Sequence, residues 1–244
     1  MHPTALDTPF FQGIIRDEDR EAVLSLFAER HYPKGSVVFF HGDECREMYI
    51  IKTGALKIYR QDADREIVLG HQFAGESIGE LEVFHYDKYR MASVAAIEKS
   101  VLWMIKKSDL EALTKKYPEI LRKAFYVVSE RLNQADRKLQ YLAFLDTRVR
   151  VANLLLDLGS NFGKETDQGL EIQWKVTQQH FANMIGVGRE TAARALQELQ
   201  QEGVIRIRNK QFSILDLETL KAIAGPDQVV SDSRKWHSTH KYMI

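Results

Sequence analysis

Residues Val176 to Gly203 read VTQQHFANMIGVGRETAARALQELQQEG, two short amphipathic helical patterns broken at Gly186. No other stretch restricts the fold so tightly, because helices this short hold their shape only by burying their apolar stripes against each other and a common core. Thr177 stands as the N-cap of the first, and Phe181, Ala182 and Ile185 form its stripe. Gly186 supplies the left-handed residue that a helix-turn-helix corner needs. The second pattern restarts at Arg189 and runs to about Glu202, with Gly203 as the C-cap. On a wheel of about 100° per residue starting at Arg189, Ala192, Ala195, Leu196 and Leu199 fall within about 240–340° and face a core. Arg189, Glu190, Ala193, Arg194 and Gln197 fall within about 0–140°, on the opposite side.

That outer face carries the chemistry of major-groove readout. Arginine can donate two bonds to guanine O6 and N7, glutamate can accept from cytosine N4, and a small Ala193 lets the backbone come close. A solvated amphipathic helix would show a similar mixture of charges. The adjoining segment favours DNA: Val204 to Leu215 reads as a strand, a turn at Arg208-Asn209-Lys210 and a second strand, a β-hairpin placed as a wing. Arg206, Arg208 and Lys210 bring positive charge to where a wing tip meets phosphates, so the partner expected is double-stranded DNA.

Upstream the pattern changes. Met1 to Gln12, with two prolines and little periodicity, is expected to be a mobile arm, and Arg16 to Glu29, with Val23, Leu24 and Phe27 at helical spacing, a short helix. From Tyr32 to Lys106 come the β-type runs SVVFF, EMYIIK, ALKIYR, EIVLGHQF, ASVAAI and VLWMIK, punctuated by glycines, which indicate a compact β-barrel or roll. Within them lies GESIGELEVFHYDKYRMASVAA, from Gly75 to Ala96. Gly79 and Glu80 open a short segment whose first N–H groups could cradle an anion. Arg90 could pair with a phosphate through its planar fork, and an ionised Glu80 could accept from a ribose hydroxyl. A Glu80–Arg90 salt bridge closing a loop is the other reading these residues allow.

Pro118 to Leu145 is a long helix. Leu121, Phe125, Val128, Leu132, Ala135, Leu139 and Leu142 alternate steps of four and three, a coiled-coil seam. Docking on the chain's own strands is one use for such a seam. A strict 3.5-residue period fits a second copy better, and a homodimer of this type reads a palindrome with half-sites about one helical turn apart. Asp146 caps the next helix, Thr147 to Leu158, and makes a natural hinge. Gly159 to Gly169 reads as a turn, Leu170 to Lys175 as a strand and Asp216 to Ala224 as a closing helix, with a loosely ordered tail from Gly225.

The run VGRETAARALQELQQEGVIRI with its wing resembles the DNA-binding end of the Crp/Fnr family of bacterial transcription regulators. KGSVVFFHGD, MYIIKTGALKIYR, and the G-E-L, Phe84 and R-x-A elements of the cassette resemble the same family's cyclic-nucleotide-binding β-roll. The resemblance implies an α+β chain: a β-roll effector domain over residues 1–117, a dimerisation helix over 118–145, a winged helix-turn-helix domain over 146–224 and a tail over 225–244. It also implies TGTGA-type half-sites, base contacts from Arg189, Glu190 and Arg194, and phosphate contacts from Thr177, Gln179 and Lys210. Gly188 stands where the best-known members have serine. In the roll it implies a cyclic nucleotide effector, with Glu80 on the ribose, Arg90 and the Met91 N–H on the cyclic phosphate, Gly79 opening the cradle and Arg131 beside the cassette glutamate. Met91 replaces a small hydroxyl residue, and Ala135 and Asp136 replace the threonine–serine pair that touches adenine in cyclic-AMP-responsive members. RNA polymerase is the further partner implied. A heme-based gas sensor on the same scaffold, with His71 or His85 as ligand, and an effector-independent regulator are the competing readings.

Composition narrows the class without deciding it. The 244 residues have a formal net charge of zero, which argues against a general polyanion binder, although a sequence reader needs only a local basic surface. A single cysteine, Cys45, excludes an internal disulfide framework and a four-cysteine metal site. The N-terminus lacks a basic-then-apolar signal segment and no apolar run approaches membrane-spanning length, so a cytoplasmic location and no membrane partner are expected. No nucleophile–base constellation, HExxH or P-loop is present, so neither a catalytic nor a metal site is expected.

Overall fold

Short β-branched and aromatic runs become strands, and the long heptad pattern becomes a helix, in the computed structural model, which describes residues 3–86, 88–225, 234 and 236. The chain divides into two units, one holding Met1–Arg60 and Leu69–Ala135, the other Gln61–Val68 and Asp136–Trp236.

The first unit starts with α1 (Arg20–Leu24), then β1 (Ala28–Tyr32), β2 (Val37–Phe39), β3 (Glu47–Thr53), β4 (Ala55–Asp62), β5 (Arg65–Phe73) and β6 (Ser77–Ile78). α2 (Glu80–Phe84), β7 (Ser93–Ala96), β8 (Ser100–Lys106) and α3 (Lys107–Lys116) follow. The strands form two four-stranded sheets, ordered β1-β8-β3-β6 and β2-β7-β4-β5. The unbroken apolar run of β3 has a physical reason. Side chains alternate across a strand, so Met48 and Ile50 enter one core with Phe10, Phe11, Leu110 and Ile120, while Tyr49 and Ile51 enter another with Phe39, Leu56, Val94 and Leu102.

The N-terminal arm departs from expectation. Ala5, Leu6, Phe10 and Phe11 are buried, and Asp7 is held by Thr4 and ion-paired to Arg20, contacts that keep its carboxyl below the usual range. The Arg16 to Glu29 helix is also shorter than its spacing suggests, because Glu29 pairs with Trp103 in the β1–β8 ladder. The α3 helix, β1 and the two-residue β6 are elements beyond those expected from the sequence.

α4 (Glu119–Phe144) contributes residues to both units. The second unit continues with α5 (Thr147–Phe162), β9 (Gly163–Thr166), β10 (Gly169–Ile172), α6 (Gln178–Ile185), α7 (Arg189–Gln201), β11 (Ile205–Arg208), β12 (Gln211–Ile214) and α8 (Leu217–Ala224). Asp146 caps α5, accepting from the Val149 N–H at 2.9 Å. Leu155, Leu158, Phe181, Leu196, Leu199, Ile205, Phe212 and Leu220 build one core, each large side chain contributing about 1.5–3 kcal/mol of burial. Two expectations fail here. Gly159 to Gly169 is no simple turn, since α5 runs on to Phe162 and β9 pairs with β10. Beyond Gly225 the described residues are docked: Arg234 bonds Asn153 and Asp157, and Trp236 packs edge-on against Phe162 and Trp174. The remainder of the expected tail lies outside the described residues.

Candidate functional site

Two places concentrate chemistry. In the second unit, Thr177 caps α6 by accepting from the His180 N–H at 3.1 Å, and Gly186 turns the corner at φ +69°. Val187 N–H returns to the Ala182 carbonyl at 3.2 Å, which closes α6 before α7 starts. Ala192, Ala195, Leu196 and Leu199 are buried, as the helical period requires. The opposite face of α7 is open: Arg189, Glu190, Arg194 and Gln197 are exposed and Ala193 half-buried. Arg189 and Arg194 make no ion pair among the described residues, so both guanidiniums keep their donors for a ligand. Gln179, in the first turn of α6, donates to Asn183 at 2.8 Å and remains exposed.

The wing is fixed to this pair of helices. Phe181 and Phe212 stack at 5.3 Å, and the Val176 N–H donates to the Lys210 carbonyl at 3.1 Å. Asn209 and Lys210 both take positive φ between the paired Arg208 and Gln211, a two-residue hairpin turn of the type that matches strand twist. Arg208 and Lys210 are therefore exposed at the tip, while Arg206 donates to Gln168 at 2.7 Å.

In the first unit the cassette is closed in on itself. Gly79 caps α2 at φ +77°, and a Cβ there would lie 2.4 Å from Arg90 Nη1, so glycine is required both by conformation and by space. Glu80 is fully buried, and its carboxylate meets Arg131 Nη2 at 2.8 Å as an ion contact without hydrogen-bond alignment, the second oxygen having no partner among the described residues. Arg131 also donates to the Ser77 carbonyl at 2.8 Å. Glu80 thus pairs with Arg131 on α4. Arg90 is 1% exposed and anchored twice over. Its backbone is zipped to the 42–43 loop, with Arg90 N–H to Asp43 at 2.8 Å and Gly42 N–H to Arg90 at 2.9 Å. Its guanidinium lies 4.0 Å above the Phe39 ring and donates to the Glu47 carbonyl at 2.6 Å, the Glu47 carboxylate at 3.3 Å and the Gly79 carbonyl at 3.3 Å. Glu82 Oε2 stands 3.8 Å from Nη1, and Glu82 Oε1 accepts the Met91 N–H at 3.0 Å.

The sequence-derived residues Gly79, Glu80, Arg90, Met91 and Arg131 are thus brought into one neighbourhood. Glu47, Glu82 and Phe39 were missed. Glu82 was readable as a second acid within GELEVF, a short step before Arg90; Glu47 and Phe39 arrive through strand pairing and left no local signal. Cys45 is buried nearby, and burial pushes its thiol up. No group of three or more histidine, cysteine or acidic side chains able to hold a metal occurs among the described residues. No helix among them is long and apolar enough to cross a membrane.

The α4 seam is an apolar stripe in the open. Leu121, Phe125, Val128, Leu132 and Leu139 are all exposed, Phe125 at 72% and Leu139 at 65%; Ala135 is exposed and Leu142 half-buried.

A two-sheet roll with a buried acid–arginine cassette, followed by a long helix and a winged helix-turn-helix, defines a ligand-controlled DNA-binding regulator. Comparison with known proteins agrees: residues 29–117 match the cyclic nucleotide-binding domain and residues 149–223 the Crp-like helix-turn-helix domain. The chain is 30% identical over 218 residues to the cyclic AMP receptor protein of Thermus thermophilus, covering 89% of this chain and 97% of that protein. It is 30% identical over 212 residues to the CRP-like cAMP-activated global transcriptional regulator of Mycobacterium tuberculosis, covering 85% and 94%. The structure of the c-di-GMP responsive global regulator CLP of Xanthomonas campestris matches with a TM-score of 0.74 at 30% identity, over 82% of this chain and 99% of that one. The chain belongs to the Crp/Fnr family of transcription regulators, a family of DNA-binding proteins and not of enzymes.

Proposed function

We propose that the protein is a homodimeric regulator that reads a palindromic TGTGA-like site, with Arg189, Glu190 and Arg194 on base edges and Thr177, Gln179 and Lys210 on phosphates. The observation that carries this reading is the exposed face of α7, where two arginines without ion partners among the described residues flank a small half-buried Ala193. The apolar stripe on α4 supports pairing through the dimerisation helix over residues 118–145, because so long an exposed row of leucine, valine and phenylalanine favours a second apolar surface. The β-roll over 1–117 is the effector domain and 146–224 the reading domain, with Asp146 as the hinge between dimer helix and reader.

The effector is an anion of the cyclic nucleotide class, held around Gly79, Glu80, Arg90, Met91 and Arg131. Relatives described as cyclic-AMP-activated support that class, and the c-di-GMP responsive structural neighbour widens it. Ala135 and Asp136 offer no hydroxyl pair to an adenine, so a base other than adenine fits the residues as well. By linkage, an effector that favours the DNA-competent arrangement is itself bound more tightly when DNA is present. RNA polymerase is the partner through which such a dimer acts. Fluorescence anisotropy on a TGTGA palindrome, at fixed salt with and without cyclic AMP, tests the reading. Preference for the palindrome over a scrambled duplex is the expected result, and equal binding to both would overturn the site assignment.

A further inference from the structure

We infer that Glu82 is an internal anion occupying the place in the cassette that an effector phosphate has to take. The inference rests on the effector reading and identifies the residue that sets its affinity. Four observations carry it. Glu82 is 5% exposed, so its carboxylate is held inside the cassette and not in solvent. One oxygen accepts the Met91 N–H at 3.0 Å and the other lies 3.8 Å from Arg90 Nη1, the two donors the cassette presents to a phosphate. Arg90 cannot swing away from Glu82 cheaply, because Glu47, Gly79 and Phe39 fix its guanidinium and the 42–43 loop fixes its backbone. Finally, both Glu80 oxygens and Arg90 Nε are buried without hydrogen-bond partners among the described residues, a deficit that a well-bonded structural core does not leave.

These facts divide the cassette into a fixed cation and a displaceable anion. A phosphate entering here would leave three negative groups, its own and those of Glu82 and Glu47, around one buried guanidinium. Glu82 sits on a helix of only five residues and has to turn outward first. The effector's apparent affinity is lowered by the free energy of that exchange. Removing the Glu82 charge leaves Arg90 paired with Glu47, so the fold keeps its buried cation neutralised.

The test uses the full-length chain, comparing wild type with Glu82→Gln and Glu82→Ala. Glutamine retains an oxygen for the Met91 N–H and removes the charge, which keeps the experiment informative if the alanine variant folds poorly. Two probes are used: cyclic AMP by calorimetry, and inorganic phosphate by thermal melting at constant ionic strength. Expected is a tightening of cyclic AMP by about tenfold or more in Glu82→Ala, with Glu82→Gln in between. Phosphate is expected to raise the melting temperature of Glu82→Ala but not of wild type, and adding Arg90→Ala should remove that gain. A phosphate response confined to the Glu82 variants, with no cyclic AMP binding in any protein, supports the internal anion and removes cyclic AMP as the effector. Equal responses to both probes in wild type and variants overturn the internal anion, whether or not cyclic AMP binds.

Discussion

The reading helix and the effector cassette both depend on arginine, and they treat it in opposite ways. Arg189 and Arg194 stand exposed on α7 with no ion partner among the described residues, at the surface of a core built from Ala192, Leu196 and Leu199. Arg90 is buried under an aromatic ring and two carboxylates, and Glu80, equally buried, is matched to Arg131. An exposed guanidinium keeps its solvation until a ligand replaces the water. A buried one is tolerated only with its counter-charges in place. The first arrangement makes a surface ready for DNA, and the second a pocket that already holds one carboxylate more than its two guanidiniums require, so an anionic ligand must exchange with a residue of the chain.

That contrast predicts that the two sets of charges fail differently. The largest effect is expected for Arg131→Ala, which strands the fully buried Glu80 carboxylate. Breaking a buried pair from one side costs about 3–5 kcal/mol, and the 19% exposure of Arg131 places the cost toward the lower end. Melting should therefore fall by roughly 10 °C. Glu80→Gln should cost less, since the orphaned cation has solvent within reach. If Arg131→Ala melted with wild type, Glu80 would not be a buried anion that depends on its arginine. Next comes Arg194→Ala on the exposed side: operator binding should weaken by about 1–3 kcal/mol for each half-site, the worth of a good bidentate base contact. Its melting temperature should stay at the wild-type value, because no partner is stranded; a large drop in melting would erase the contrast between the two regions. Phe125→Glu on the α4 stripe sharpens the comparison from a third side. It should shift sedimentation toward monomer and reduce palindrome binding with it, and a variant that sediments as wild type would show that the stripe covers something other than a second copy.

The exposed half of the comparison was largely legible in the sequence and the buried half was not. Helical period alone separates Leu196 and Leu199 from Arg189 and Arg194, and a glycine at the corner and a turn at Asn209-Lys210 mark the ends of their elements locally. The cassette's acid and arginine were visible, and the family resemblance set Arg131 beside the acid, but the partners of Arg90 were not visible, because they come from distant segments: Glu47 from β3 and Phe39 from β2. A Glu80–Arg90 bridge looked reasonable from chain proximity, yet the fold turns Glu80 toward α4 and Glu82 toward Arg90. The packed N-terminal arm escaped for the same reason. Leu6 and Phe11 show no period of their own, and their burial comes from joining the core that β3 and α3 also enter.

The smallest effect belongs to the wing. Arg208 and Lys210 flank a tip whose conformation is set by its backbone: Asn209 and Lys210 hold positive φ, and Val176 bonds the Lys210 carbonyl through the main chain. A side chain at position 210 therefore contributes charge and no architecture, apart from the strain that a β-branched residue would introduce. Lys210→Ala should leave folding and base preference untouched and weaken all DNA sequences alike. Each phosphate contact releases about one counterion and the dimer loses one contact per half-site, so the slope of log K against log salt should flatten by about 1.8. The measurement is operator affinity at a series of salt concentrations, for wild type and variant, on palindromic and scrambled duplexes. A flattened slope on both duplexes with an unchanged ratio between them places Lys210 on phosphate. A changed ratio would move it to base readout, and the exposed face of α7, with Arg189, Glu190 and Arg194, would then no longer be the sole origin of sequence preference.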